Sequence, residues 1–106
     1  TMPVFLLVVR KYNFSTNNLS VIMTTFDRIL ELSTKYRSYT AENLSRLVRC
    51  KSLSLQEEQV QQELMRQMQK AGFDEVRMDG LGNVIGRIGS GNRILAFDAH
   101  MDTVDI

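Results

Sequence analysis

The single histidine of this chain, His100, lies in the run AFDAHMDTVDI, with Asp98 two residues before it and Asp102 two residues after. On an extended backbone residues i and i+2 share a face, so the imidazole and both carboxylates project to one side while Ala99 and Met101 point to the other. An imidazole that binds a metal through one ring nitrogen normally donates its other N–H to a carboxylate, which fixes the tautomer and the ring. His-x-Asp at the end of an apolar strand therefore makes chemical sense as half of a zinc site, and the carboxyl ends of strands are where α/β sheets place their ligand crevices. Taken alone, the same residues also read as an ordinary hydrogen-bonded pair. A second reactive group is Cys50, whose neighbour Lys51 is a cation able to lower a thiol pKa, so a Cys–His thiol hydrolase using Cys50 and His100 is a competing reading. The plainer reading of Cys50 is a thiol at a helix end in a structural loop.

Helices come first among the elements that must position these residues. From Thr24, just after Met23, a Thr-Thr pair able to cap precedes Phe26, Ile29 and Leu30 at helical spacing, and the polar stretch Ser33 to Tyr39 follows. Thr40 is placed to cap a second helix with the stripe Ala41, Leu44, Leu47 and Val48, ending before CKSLS at 50–54. Ser54 and Glu57 have the spacing of a capping box for a third helix, which carries Val60, Leu64, Met68 and Ala71 on one face and several glutamines on the other, and which Gly72 stops. That glutamine-rich helix could instead serve a noncatalytic helical interaction module, although a single apolar stripe normally packs on its own sheet.

After Gly72 the period falls to two. Val76 and Met78 form a short strand, DGLGN at 79–83 is turn chemistry, and Val84, Ile85 and Ile88 form a second strand. GSGN at 89–92 reads as a hairpin turn into the third strand, RILAFDAH at 93–100. Its apolar residues Ile94, Leu95, Ala96 and Phe97 are consecutive, which predicts an interior strand covered on both faces.

Bulk properties narrow the classes. A chain of 106 residues suits one small domain. Thirteen Lys and Arg against twelve Asp and Glu, with no basic block, argue against nucleic acid. One cysteine cannot form an internal disulfide and points to a reducing, cytoplasmic setting. The run PVFLLVV at 3–9 is too short to span a bilayer and has no preceding basic segment, so neither a membrane span nor a signal peptide is expected. Two readings of residues 1–22 stand open: an upstream or non-native extension with Met23 as the natural start, or part of the fold. On the first, deleting them leaves the folding of residues 23–106 unchanged.

The segment from about residue 41 to 105 resembles the opening of the co-catalytic zinc exopeptidase and deacylase family that includes acetylornithine deacetylase, succinyl-diaminopimelate desuccinylase, aminoacylase and glutamate carboxypeptidase. GNVIGRIG and AFDAHMDTV carry most of it, the family pattern being an apolar strand running into H-x-D-[TV]-V. Within the family the similarity is greatest to a subgroup of selenium-metabolism hydrolases. The resemblance implies an α/β fold, specifically the N-terminal part of an α/β/α zinc-hydrolase catalytic domain at residues 23–106, incomplete and cut after its first metal ligand. It implies His100 as that ligand and Asp102 as the catalytic carboxylate that orients it. It further implies two Zn2+ ions in the full-length enzyme, replaceable by Co2+ or Mn2+, a small acylated amino acid or dipeptide as substrate, and a homodimer.

The family's bridging aspartate, its glutamate base with an adjacent glutamate ligand and its distal histidine all come later than this chain extends, so the fragment itself is expected to be inactive. Two departures bear on subgroup and substrate: Cys50-Lys51-Ser52 stands where the family usually reads I-P-S, and Asp105 where a proline is common.

Overall fold

The computed structural model describes residues 4–9, 19–52 and 57–103, with side chains from Thr24 onward. The chain is mixed α/β. Its elements are β1 (Val4–Val9), α1 (Leu19–Lys35), α2 (Arg37–Arg49), α3 (Glu58–Lys70), β2 (Glu75–Met78), β3 (Val84–Ile88) and β4 (Leu95–His100). The four strands form one sheet in the order β2-β3-β1-β4.

The first helix begins at Leu19, earlier than its apolar stripe suggested, and the break before the second is narrower than the polar stretch suggested. Tyr36 alone separates α1 from α2, and helical hydrogen bonds run through it, from the Tyr36 amide to Leu32 O and from the Thr40 amide to Tyr36 O, both 2.9 Å. Thr40 is thus inside α2 with its amide already satisfied, and the cap expected of it is not needed. At α3 the N-cap position is Glu57, which makes no side-chain capping bond. Ser54, the other half of the expected capping box, lies outside the described residues. Gly72 follows α3 at φ +83°, the left-handed stop the sequence announced.

Helix α3 lies against β2 and β3 and also touches α2. Val60 and Met68 are buried from its stripe, as is Val84 of β3 beneath it. Leu64 is half-buried, while Ala71, expected on the same face, is exposed where the helix has ended. The polar face is not simply solvated: Gln61 Nε2 donates to Gly82 O at 3.0 Å, and Gln67 Nε2 to Asn43 O in α2 at 3.1 Å. Gly86 lets the sheet approach this layer, since a Cβ there would stand 2.6 Å from the Phe73 ring and 2.8 Å from Met68 Sδ.

Strands β2 and β3 are an antiparallel hairpin closed by Asp79–Asn83. Asp79 Oδ1 accepts the amides of Leu81 and Asn83, each at 2.9 Å, and Oδ2 accepts Asn83 Nδ2 at 2.7 Å. These bonds, the Asn83 side chain foremost, hold the Asp79 carboxyl below its ordinary pKa.

The second hairpin expected from GSGN is not formed. Strand β1 lies between β3 and β4, parallel to the first and antiparallel to the second, with Phe5 opposite Val84 and Val4 opposite His100. An unbroken VFLLVV run is what a strand with neighbours on both edges favours, and β1 takes the interior position assigned by sequence to β4. Strand β4 is the edge strand instead, exposed along its whole length. Among the described residues its only ladder is to β1 and no helix packs on either strand, so its consecutive apolar residues stay exposed. The radius of gyration, 16.1 Å, exceeds the roughly 13 Å of a compact domain this size, in keeping with exposed Phe26, Ile29 and Leu30 on α1.

Candidate metal centre

Strand β4 ends at His100, and the ladder to β1 ends with it. Beyond that point the chain lies outside the sheet, and Asp102 stands beside the imidazole. His100 Nδ1 lies 3.1 Å from Asp102 Oδ1 and 3.1 Å from the Asp102 backbone carbonyl. A carbonyl oxygen can only accept, so Nδ1 is the donor to both and carries the proton. In that neutral tautomer Nε2 keeps its lone pair. The ring is 76% exposed and the Asp102 carboxylate only 12%, so the carboxylate is sheltered and the imidazole open to solvent. Asp98, on the His100 face by alternation along β4, is exposed.

The segment carrying Asp102 is tethered from the α2–α3 connection. Cys50, the C-cap of α2, turns the backbone into extended conformation at φ −72° and ψ 127°. Its thiol donates to Arg46 O at 3.4 Å, which closes the helix end and is the structural role foreseen for it. Two residues on, Ser52 is 1% exposed. The Thr103 amide donates to Ser52 O at 2.9 Å, and the Ser52 and Thr103 hydroxyls share a hydrogen bond of 3.1 Å. Neither residue was a candidate in the sequence, where nothing in spacing or type joins positions so far apart. The one available signal was the resemblance noted above, in which Ser52 stands where the I-P-S pattern has its serine.

The donor set fits one ligand of a zinc site. His100 offers Nε2, Asp102 is engaged in holding its ring, and among the described residues no three His, Cys, Asp or Glu side chains cluster as a metal would require. Among the same residues no helix is long and apolar enough to cross a membrane.

No family model matches the chain, and no solved structure does. It is similar to the protein named Uncharacterized protein YgeY in Escherichia coli strain K12 and to its namesake in Escherichia coli O157:H7, at 42% identity over 81 residues in each case. The similarity takes in 76% of this chain and 20% of each relative, so the chain spans about a fifth of the length of the curated relatives it matches.

Proposed function

We propose that this chain is the opening segment of the catalytic domain of a zinc-dependent hydrolase that cleaves an amide or peptide bond in small acylated amino acids or dipeptides, a cytoplasmic enzyme that acts as a homodimer. The observation that carries the reading is the His100–Asp102 pair, with Nδ1 3.1 Å from a sheltered carboxylate and the ring exposed at the end of a strand. Zinc held there would supply an activated water and polarise the scissile carbonyl. His100 would hold one ion through Nε2. Asp102 keeps the proton on Nδ1 and fixes the plane of the ring, which raises the basicity of the ligating nitrogen. Further ligands and the general base belong to the rest of the enzyme, so this segment alone is inactive.

The rivals are less well supported. The Cys50 thiol is spent on a helix-end carbonyl, and the apolar stripe of α3 is spent on its own sheet. The test is made on the longer protein that carries this segment. Wild type should hold two zinc ions and hydrolyse acylated amino acids, a chelator should abolish that activity, and His100→Ala should lose one ion and nearly all turnover. Equal activity in wild type and His100→Ala would overturn the assignment.

A further inference from the structure

We infer that Ser52 and Thr103 form a latch that positions Asp102 against the imidazole, making Ser52 a positioning residue for His100. The inference rests on the reading of His100 as a ligand. Among the described residues no ladder bond holds the chain past His100, where the β1–β4 register ends. Met101 to Thr103 would be free to swing, and with them both acceptors of the Nδ1 proton, which belong to Asp102. What stops the swing is Thr103, immediately after Asp102, fastened by its amide and its hydroxyl to Ser52. Ser52 is itself fixed. It is 1% exposed and follows the closed C-terminus of α2 by two residues, so the latch refers the site to the helical layer rather than to the exposed edge strand. The Ser52 hydroxyl is buried and costly to leave unpaired, which keeps the two residues together.

A latch that merely stabilised the fold would change the unfolding midpoint and leave the ring alone. A latch that positions Asp102 sets the imidazole tautomer, and that is the readout. His100 is the only histidine in the chain, so in the 15N-labelled 106-residue protein its two ring nitrogens are read without assignment, at a pH where the ring is neutral. Wild type should be predominantly Nδ1–H. Ser52→Ala and Thr103→Val should each lower the ratio of Nδ1–H to Nε2–H by roughly fivefold, about what one net hydrogen bond is worth, while Thr103→Ser, which keeps the hydroxyl, should retain the wild-type ratio.

An unchanged ratio in both variants, with amide spectra showing the fold intact, overturns the latch. So does a wild-type ring with no Nδ1–H preference. If Ser52→Ala fails to fold, Thr103→Val removes the same bond from the exposed side and decides alone. Zinc titration of the longer protein separates the two ideas: a tautomer that responds as stated in a protein whose His100 takes no zinc leaves the latch standing and removes the metal reading.

Discussion

Gln67 joins two helices through one side-chain amide, donating to the Asn43 carbonyl of α2 at 3.1 Å and to the Glu63 carboxylate one turn back in α3 at 2.9 Å. Glu63 is also gripped by Arg66, at 2.8 and 2.6 Å. Chiefly through Arg66 and then Gln67, its carboxyl is lowered from 4.5 to about 2. Folded Glu63 therefore stays ionised where the unfolded chain would take up a proton. Its stabilising contribution is complete above about 4.5 and is lost as pH falls through about 2. Urea unfolding across that window should show a steeper acid loss in wild type than in Glu63→Gln. Parallel curves would show that ionised Glu63 adds nothing to the stability of the fold.

Gly86→Ala should destabilise the chain by about 1–3 kcal/mol, the usual penalty of overpacking, because the new methyl meets the Phe73 ring and Met68 Sδ. Met68 is only 3% exposed and has little room to yield. Phe73→Leu in the Gly86→Ala background should restore part of the loss. Thermal unfolding of the two variants checks both statements.

Asp102→Asn in the longer protein should cost on the order of tenfold in zinc affinity or rate, less than the loss of the ligand in His100→Ala. An amide retains an acceptor for Nδ1–H but gives up the charge. Metal analysis alongside turnover separates the two variants, and identical losses would mean that Asp102 does more than orient the ring.

The isolated 106-residue chain should self-associate. Leu95 and Phe97 are more than half exposed on an edge strand, and such edges pair with other copies. Sedimentation should show mass rising with concentration, and Phe97→Lys should shift the population toward monomer. The same chain should bind zinc no better than a lone surface histidine does. A stable monomer holding two zinc ions tightly would contradict both the edge argument and the proposal that most ligands lie elsewhere.

Deleting residues 1–22 removes β1 and opens a gap one strand wide, about 4.8 Å on each side. Strands β3 and β4 run antiparallel, and Gly89 to Ile94 joins them. We expect β4 to close on β3 as the hairpin that GSGN suggests, with α2, α3, the β2–β3 hairpin and the part of α1 after Ile22 retained. New amide contacts between residues 84–88 and 95–100 would show it by NMR. Loss of soluble protein would show that β1 has no substitute.

Local chemistry was the legible part of this molecule. The Asp79 turn, the Gly72 stop and the Val60–Met68 stripe each follow from bonds or packing within a few residues of themselves, so type and spacing are enough to find them. His100 and Asp102 belong with them, two residues apart and in hydrogen-bond contact. What escaped was decided at long range. The displacement of β4 to the edge depends on β1 entering from the far end of the chain, and no periodicity in RILAFDAH encodes that competitor. The Ser52–Thr103 bond is hidden for the same reason, since a small hydroxyl residue in a loop looks alike whether its partner is water or another hydroxyl.

The position of β1 also sets a timetable. Its partners, Val84–Ile88 and Leu95–His100, are synthesised well after VFLLVV. At about 5–20 residues per second, translation leaves that segment waiting on the order of several seconds before a partner exists. The unbroken apolar run that suits the middle of a sheet is, over that interval, a bare adhesive on the nascent chain. Protein yield should therefore depend on how quickly the ribosome reaches Leu95 and on what shields Val4–Val9 until it does.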